Sequence, residues 1–378
     1  MDVAIVPCQN YDYDSCLAAL RDVLAPFGGL NWVQPGMKIA VKANLVSMMK
    51  PEAAATTHPV LLCALAELLR ERGAEAIIGD SPGGIYTSAY VNAVYRGTGI
   101  AAAEQYGARL NQDFSQARAE NPGGAVMKDF QYTAWLDGCD AVIDFCKLKS
   151  HGMMAMSAAT KNMFGTIPGT LKPEYHFRYP NARDFANMIV DLAEYWKPRL
   201  TIVDAVVGME GNGPTAGTPK PIGCLLAGES THKVDLVCAA ILGIERSEIP
   251  TLEAALERGL IPDSVQELDI SGELASFFIP DFQKIETKND ILFQDGLFGN
   301  FLSPFMKRFI ASRPQVQKSE CIGCKKCARI CPAKAIKMRS GKPKIDRKAC
   351  IRCFCCQEFC PRGAMKVARP PLARLLNQ

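Results

Sequence analysis

Several short catalytic motifs are missing from this sequence. It contains four histidines, at positions 58, 151, 176 and 232, and no H-E-x-x-H, G-x-S-x-G or G-x-x-x-x-G-K-S/T stretch. These absences disfavour a helical zinc protease, a hydrolase with a serine nucleophile elbow and a P-loop ATPase. With so few imidazoles, we also expect no histidine-rich metal site.

Long apolar segments are also lacking. No stretch approaches the roughly 18 apolar residues that a membrane span needs. The N-terminal residues MDVAIVPCQNYDYD contain neither a basic region nor a long apolar run, so we expect no signal peptide. These features predict a soluble globular protein of the cytoplasm, without a membrane span.

Cysteine, by contrast, is abundant, with 16 residues in the chain. Those at positions 8, 16, 63, 139, 146, 224 and 238 are scattered and form no C-x-x-C pair. Buried thiols in a reducing compartment explain this scatter better than a disulfide framework does. The remaining cysteines crowd into residues 321–360.

Two cysteine runs in that region share one spacing, C-x2-C-x2-C-x3-C, and each is followed at once by proline. The runs are Cys321, Cys324, Cys327 and Cys331, then Cys350, Cys353, Cys356 and Cys360. This is the spacing of bacterial ferredoxins, in which the fourth cysteine of each run ligates the other [4Fe–4S] cluster. By that pattern, the predicted ligands are Cys321, Cys324, Cys327 and Cys360 for one cluster, and Cys350, Cys353, Cys356 and Cys331 for the other.

A structural zinc site is the alternative for such cysteines. Tetrahedral zinc takes its ligands in shorter pairs, and two complete runs that each end in Cys-Pro disfavour it. Cys355 is an additional thiol beside Cys356 and has no assigned role. The sequence therefore predicts two [4Fe–4S] clusters as cofactors.

The net charge of +4 conceals an asymmetry. Residues 313–378 carry +14, whereas residues 1–312 carry −10. Two interpretations of the basic segment 313–378 remain open. It docks on the acidic body of the same chain, or its charge attracts an acidic redox partner protein. Nucleic acid ranks third, because no aromatic-interleaved basic motif accompanies the charge; we therefore expect no nucleic-acid partner.

Strands rich in Val and Ile alternate with helical segments over most of the chain. We predict strands at 38–46, 76–80, 141–146, 200–207 and 222–228, and helices at 59–72, 88–106, 182–196, 232–242 and 251–259. This alternation favours an α/β fold with a mainly parallel, doubly wound sheet. We expect this body to span residues 1–280, with a Gly/Pro loop at 208–221.

The alternation stops after the body. Residues 281–316 are predicted to form a connecting segment, in which Phe301, Phe305 and Phe309 recur at the spacing of an amphipathic helix. Residues 317–370, which contain the cysteine runs, are expected to form a small α+β two-cluster ferredoxin-like domain.

Polar side chains follow successive strands of the predicted sheet. Ligands of doubly wound proteins sit beyond the carboxyl ends of the strands, so these residues are candidate ligand-binding or catalytic groups. The candidates are Lys42, Asn44, Asp80, Ser81, Lys147, Lys149, His151 and Asp204, with Glu210 and Asn212 in the following glycine-rich loop. A plain connecting loop is the equal alternative for that last stretch.

Lys147, Lys149 and His151 are spaced two residues apart. If the strand continues through them, all three side chains project from one face and favour an anion such as carboxylate or phosphate. Lys161, beside Asn162, completes this pocket in the same hypothesis. The alternative, slightly favoured by spacing alone, is a solvated strand end.

The body motifs resemble the domain-of-unknown-function family numbered 362, in its iron–sulfur branch. The motifs that carry the resemblance are KANLV (42–46), GDSPGG (79–84), CDAVIDFCKLKSH (139–151), TKNMFG (160–165), DAVVGMEGNGPTAG (204–217) and CIRCFCCQEFCP (350–361). The resemblance implies a C-terminal domain with two [4Fe–4S] clusters bound by the eight cysteines named. It implies no assigned reaction.

Three functions remain open from the sequence. The first is an electron-transfer protein or oxidoreductase whose clusters serve a substrate site where Lys42, Lys147, Lys149 and Lys161 hold a small anion. In that scheme His151 or Glu210 donates the proton that reduction often needs. The others are a ferredoxin-type carrier or redox-responsive binding module, and a non-redox ligase or transferase with structural clusters.

Overall fold

A computed structural model describes residues 1–285 and 312–368. Its strands are β1 (Val3–Pro7), β2 (Lys38–Ala43), β3 (Glu75–Gly79), β4 (Ala108–Leu110), β5 (Gln116–Glu120), β6 (Asp129–Thr133), β7 (Ala141–His151), β8 (Ala155–Ser157), β9 (Leu200–Glu210), β10 (Thr218–Gly228), β11 (Ile270–Ser271), β12 (Arg313–Val316), β13 (Ile336–Arg339), β14 (Lys342–Ile345) and β15 (Met365–Ala368).

The α-helices of the described residues are α1 (Tyr13–Leu24), α2 (Pro59–Glu71), α3 (Ser88–Thr98), α4 (Ala159–Asn162), α5 (Lys172–Arg178), α6 (Ala182–Trp196), α7 (Thr231–Ile241), α8 (Pro250–Glu257), α9 (Lys326–Ile330) and α10 (Cys355–Glu358). Within this part of the chain, no helix is long and apolar enough to cross a bilayer. The predicted connecting helix around Phe301, Phe305 and Phe309 lies outside the described residues.

The body is built on one mixed sheet of nine strands in the order β11-β1-β10-β9-β7-β2-β3-β4, with β8 paired to β7. Strands β9, β7, β2, β3 and β4 run parallel to one another. Strand β10 is antiparallel to both β1 and β9. The predicted α/β fold with a mainly parallel sheet is therefore confirmed.

Helices cover both faces of this sheet. Val41 and Ile202 pack with α1, α2 and α3 in one apolar layer, whereas Cys146 and Val203 pack with α7 and α8 in the opposite layer. Successive strand residues point to opposite faces, so neighbours such as Ile202 and Val203 enter different layers. Burial on both faces explains why these strands are almost continuously apolar.

The loop predicted at 208–221 was too long, because residues 208–210 and 218–221 are strand and only 211–217 form the connection. Strand β9 continues to Glu210, which pairs with Thr218 at the start of β10. Pro219 and Pro221 lie within β10, but β1 pairs with β10 only from Cys224 onward. The prolines therefore occupy a locally exposed edge, where a missing N–H leaves no ladder bond unmade.

Helix 88–106 was also predicted too long. Helix α3 ends at Thr98, and Gly99 adopts a left-handed backbone with φ of 78°. A left-handed glycine is a common helix stop, and a 3-10 segment follows at Ile100–Tyr106. Strand β1 and helix α1, which we did not predict, complete the N-terminal part of the body.

The cysteine-rich domain is a small α+β unit. Strand β12 pairs antiparallel with β15, and β13 with β14. Its apolar cluster joins Cys327, Ile336, Cys356 and Met365. Strand β12 lies inside the stretch that we predicted as the connecting segment, because its partner β15 is distant in the sequence.

Candidate functional site

The predicted cluster ligands gather around two cavities in the small domain. One cavity is lined by Cys321, Cys324, Cys327 and Cys360, called here the Cys360 group. The other is lined by Cys331, Cys350, Cys353 and Cys356, called here the Cys331 group, and also by Cys355, which is not one of the predicted ligands. In each group, three cysteines of one run meet the fourth cysteine of the other run.

The surroundings of these thiols fit iron–sulfur clusters. The backbone N–H of Ala335 donates to Sγ of Cys331 at 3.3 Å, and that of Ala364 donates to Sγ of Cys360 at 3.2 Å. Such bonds to sulfur are one means by which a protein tunes a cluster. Among the described residues, no three His, Cys, Asp or Glu side chains lie close enough to share one metal ion. Four thiolates in each group are the donor set that a [4Fe–4S] cluster takes.

The small domain docks on the body through helix α10. Nε2 of Gln357 donates to the carbonyl oxygen of Gly213 at 2.6 Å and to Oδ1 of Asn212 at 3.0 Å. The hydroxyl of Thr215 donates to the carbonyl oxygen of Glu358 at 3.0 Å. The glycine-rich connection between β9 and β10 is therefore the seat of the cysteine-bearing helix.

A second contact explains a glycine of the GDSPGG motif. A Cβ on Gly83 would lie 2.7 Å from the ring of Phe359, which follows α10. No real Cβ makes so short a contact without displacement, so the ring occupies space that only glycine leaves. Gly83 of this motif therefore leaves the space that the Phe359 ring of the small domain occupies on the body.

Beneath α10, the strand ends of the body enclose a small polar cavity, called here the lysine cavity. Its volume is about 40 Å³, which by the roughly 10–15 Å³ needed per water holds about three waters or one small oxyanion. It is lined by Asn44, Val46, Asp80, Lys149, His151, Ser157, Lys161, Asn162, Phe164, Gly165, Lys172, Pro214 and Glu358.

Lys149 projects into this cavity from β7 and is 1% exposed. Its ammonium donates to Oδ1 of Asn44 at 2.7 Å and to the carbonyl oxygen of Ala55 at 2.6 Å. Burial lowers the pKa of Lys149 to about 7, since an apolar environment disfavours the charged form. Lys149 is therefore poised to gain or lose a proton near neutrality.

Two further ammonium groups enter from the segment after β8. Nζ of Lys161 lies 4.8 Å from the centre of the Phe164 ring, and Nζ of Lys172 lies 5.6 Å from it. Lys172 donates to the carbonyl oxygen of Ser81, and burial lowers its pKa to about 8. Lys161 has no hydrogen-bond or ion-pair partner among the described residues. Burial lowers its pKa, and the nearby Glu358 carboxylate acts against that shift and favours the charged form.

His151 presents a donor to the same space. Its Nδ1 accepts hydrogen bonds from the backbone N–H groups of Met153 and Met154, at 3.1 and 3.2 Å. The proton therefore sits on Nε2, which is buried and has no partner among the described residues. Burial and the nearby Lys161 charge hold the pKa of His151 well below its usual value, so the ring is a neutral hydrogen-bond donor.

One wall of the cavity is an internal ion pair. Nζ of Lys42 lies 2.7 Å from Oδ1 of Asp80, and the other Asp80 oxygen accepts from the backbone N–H of Leu45 at 2.7 Å. A Cβ on Gly165 would lie 2.2 Å from Oδ1 of Asp80 and 2.4 Å from Nζ of Lys42. Glycine at 165 is therefore required for this pair, and Lys42 is already neutralised.

Asn162 ties the neighbouring strands together. Its Nδ2 donates to Oδ1 of Asp144 at 2.6 Å, and its Oδ1 accepts from Nδ2 of Asn44 at 2.8 Å. Burial raises the pKa of Asp144 to about 8, so this carboxyl group is largely protonated at neutral pH. These contacts fix the orientation of Asn44, which in turn holds Lys149.

Lys147 belongs to a separate cluster. Its Nζ lies 2.9 Å from Oδ2 of Asp204 and donates to the hydroxyl of Tyr11 at 2.7 Å. The Tyr11 hydroxyl donates to Oδ1 of Asp204 at 2.9 Å, and the Tyr11 ring stacks on His58 with centroids 3.5 Å apart. Lys147 and Asp204 therefore satisfy each other and do not line the lysine cavity.

Two parts of the chain match known protein families. Residues 39–240 match the family described as "Domain of unknown function (DUF362)", and residues 313–361 match a 4Fe-4S dicluster domain. The thylakoid-associated protein sll1697 of Synechocystis sp. is 32% identical over 272 residues, which cover 70% of this chain and 81% of that protein. The chain belongs to the DUF362 family. The resemblance predicted from the motifs is confirmed, and the dicluster domain makes this DUF362 member an iron–sulfur protein.

A solved structure with a related outline is the lactate racemase apoprotein from Thermoanaerobacterium thermosaccharolyticum. It aligns with a TM-score of 0.37 and 12% identity over 65% of this chain and 57% of the racemase. The DUF362 protein therefore spans little more than half of the racemase, and nothing about its own site follows from this likeness.

The structure divides the candidates that the sequence placed at the strand ends. Lys149, His151, Lys161, Asn44, Asp80 and Asn162 line the lysine cavity, whereas Lys147, Asp204, Ser81, Glu210 and Asn212 do not. Lys42 contacts the wall through Asp80. Oδ1 of Asn212 instead accepts a hydrogen bond from Nε2 of Gln357, and Glu210 accepts one from the backbone N–H of Gln283 at 2.9 Å.

The alternative of a solvated strand end for Lys147, Lys149 and His151 was wrong, since none is more than 4% exposed.

Two charged lining residues were missed by sequence reasoning. Lys172 begins α5 and lies outside every motif that we quoted. Glu358 lies between Cys356 and Cys360, so the sequence pattern around it indicated metal binding and no role in the body. This position beside the cluster cysteines was the one available signal for Glu358.

Proposed function

We propose that this DUF362 protein transfers electrons between iron–sulfur clusters and a small anionic substrate in the lysine cavity. One observation carries the proposal: helix α10 contributes Cys356 to the Cys331 group and ends at Glu358, which lines the lysine cavity. The same short helix thus forms a wall of both sites.

The eight cysteines would hold two [4Fe–4S] clusters, one in the Cys360 group and one in the Cys331 group. One-electron transfer is the chemistry that such clusters supply when bound. The body contributes the seat for α10, which brings the helix that carries Cys356 to the lysine cavity through Glu358.

The lysine cavity supplies the anion site. Lys161 offers an unpaired ammonium, and Nε2 of His151 offers an unpaired donor, so both would bind a carboxylate or phosphate oxygen. Lys149, with its pKa near 7, would give or take the proton that accompanies reduction or oxidation, because a proton donor works best near the ambient pH. Glu210, distant from the cavity, has no part in this scheme.

A protein redox partner would dock at a second surface, called here the basic groove. Its basic lining residues are Arg313, Lys344, Arg347 and Arg352, and no acidic residue lines it. Burial, with the charges of Arg347 and Arg352, lowers the pKa of Arg313. Cys350 also lines the groove, so an acidic partner protein held there by charge complementarity would border the Cys331 group.

Reduction and anion binding together test this function in the anaerobically purified full chain. We expect dithionite to bleach the visible absorbance and air to restore it. Calorimetry should show sulfate binding that Lys161→Met weakens at least about tenfold, the effect of losing one charge-assisted hydrogen bond. The matched variant Lys337→Met, on exposed strand β13, should bind sulfate normally. Absorbance that dithionite does not change, or equal binding by both variants, would contradict the proposal.

A further inference from the structure

The lysine cavity adjoins a much larger space, called here the interdomain cleft. This cleft lies between the body and the small domain and has a volume of about 1040 Å³, at the upper end of the roughly 300–1,000 Å³ typical of ligand pockets. Val46 and Glu358 line both spaces. A ligand seated in the lysine cavity can therefore extend into the cleft.

One side of the cleft is apolar. It is formed by Met48, Met49, Ile85, Tyr90 and Phe359. Met48 is 60% exposed and Ile85 is 59% exposed, which is unusual for large apolar side chains that lie close together. Clustered exposed apolar residues mark binding surfaces, and methionines adapt readily to the shape of a bound chain.

The cleft also has a basic side. It is formed by the small-domain residues Lys326, Arg329, Arg362 and Lys366. Lys366 pairs with Glu320 at 3.4 Å, whereas Lys326 and Arg362 have no ion-pair partner among the described residues. Two cationic groups of the cleft thus remain unpaired, and neither of them lines the lysine cavity.

We propose that the substrate is an amphipathic dianion rather than a small anion alone, an inference that rests on the function proposed above. One carboxylate or phosphate binds Lys161 and His151 in the lysine cavity. An apolar middle section crosses Met48 and its neighbours, and a second anionic group binds Lys326 and Arg362. Cys360 also lines the cleft, so a molecule bound in this way borders the Cys360 group as well as α10.

A series of carboxylic acids tests this proposal by calorimetry on the cluster-loaded full chain. The probes are acetate, unbranched α,ω-dicarboxylates of increasing length, and the monocarboxylate that matches each dicarboxylate. We expect acetate to bind weakest and one intermediate dicarboxylate to bind at least about tenfold more tightly than its matched monocarboxylate, the contribution of one charge-assisted contact.

The basic side is tested by the double variant Lys326→Gln/Arg362→Gln, with iron content measured to show that the clusters remain. In this variant the dicarboxylate should bind no better than the monocarboxylate, while the Lys161-dependent binding of sulfate is retained. The control Lys337→Gln/Arg339→Gln, on β13 outside the cleft, should keep the preference for the dicarboxylate.

Equal binding of dicarboxylates and monocarboxylates, or an unchanged preference in the Lys326→Gln/Arg362→Gln variant, would overturn the dianion proposal. If sulfate still binds in a Lys161-dependent manner, the anion site stands and only the extension into the cleft fails. If sulfate does not bind at all, both proposals fail together.

Discussion

Nε2 of Gln357 donates a 2.6 Å hydrogen bond to the carbonyl oxygen of Gly213. Gln357 lies on helix α10, between Cys356 and Cys360 of the second run. Its bond joins this helix to the β9–β10 hairpin, whose Pro214 lines the lysine cavity. A Cβ on Gly213 would lie 2.2 Å from the carbonyl oxygen of Ser150, so the hairpin also needs glycine to reach β7. The two halves of the proposed site are thereby held in contact.

Replacing Gln357 should loosen this contact. Gln357→Ala removes its bonds to Gly213 and Asn212 and leaves a buried carbonyl oxygen unpaired, a loss of roughly 1–3 kcal/mol. Hydrogen–deuterium exchange of residues 211–217 should therefore accelerate, with the core strands unaffected. Gln317→Ala, at an exposed position of the same domain, is the control and should exchange as the parent does. Unchanged exchange in Gln357→Ala would show that α10 is held by other contacts.

The cysteine groups predict different outcomes for two neighbouring thiols. Cys360→Ala removes a member of the Cys360 group, so iron content should fall from about eight to about four atoms per chain. Cys355→Ala should retain about eight, because Cys355 belongs to neither proposed [4Fe–4S] ligand set. Iron and acid-labile sulfide analysis after anaerobic purification measures both. Equal iron loss in the two variants would contradict the assignment.

Anion affinity should depend on pH through Lys149 and Lys172. Burial is the main cause that lowers their pKa values, to about 7 and about 8, and only the protonated ammonium attracts an anion. Sulfate keeps its charge across this range, so its affinity should fall as the pH rises from 6 to 9, by about tenfold or more. In Lys149→Met, sulfate should bind more weakly at pH 6 and depend less on pH. Affinity that rises with pH would contradict this electrostatic account.

Replacing two buried aspartates with asparagine should affect the stability of the fold by different amounts. Asp204 is paired with Lys147, so Asp204→Asn leaves a buried charge unpaired and should destabilise the fold by about 3–5 kcal/mol. Burial raises the pKa of Asp144 to about 8. Its folded form therefore keeps a proton that the unfolded chain loses near pH 4, and this contribution lowers stability as the pH rises from about 4 toward 8. Asp144→Asn should cost little and remove that trend. Denaturation at several pH values measures both variants.

Local patterns predicted much of this fold. Apolar strands alternating with helices were sufficient to predict the mainly parallel sheet, because strands that are buried on both faces consist almost entirely of apolar residues. Likewise, the strand-end rule indicated Lys149 and His151, and the need for a further cation to complete an anion pocket indicated Lys161; all three line the lysine cavity. The same rule failed for Glu210, because β9 continues as a hairpin and carries that side chain past the cavity.

Burial and partner choice could not be read from spacing. The spacing of Lys147 and Lys149 put them on one face, but Lys147 is neutralised by Asp204 on the adjacent strand, whereas Lys149 contacts Asn44. Glu358 reaches the cavity only because the small domain docks on the body, a contact between residues far apart in sequence. Such contacts depend on the assembled structure and leave no periodic signal.

The central claim is that an anion in the lysine cavity and the clusters act on each other. Redox titration monitored by electron paramagnetic resonance, with and without saturating sulfate, tests it most directly. We predict that sulfate lowers the reduction potential of one cluster, because a nearby negative charge disfavours an added electron, and that Lys161→Met abolishes the shift while Lys337→Met retains it. Identical potentials with and without bound sulfate would contradict the claim.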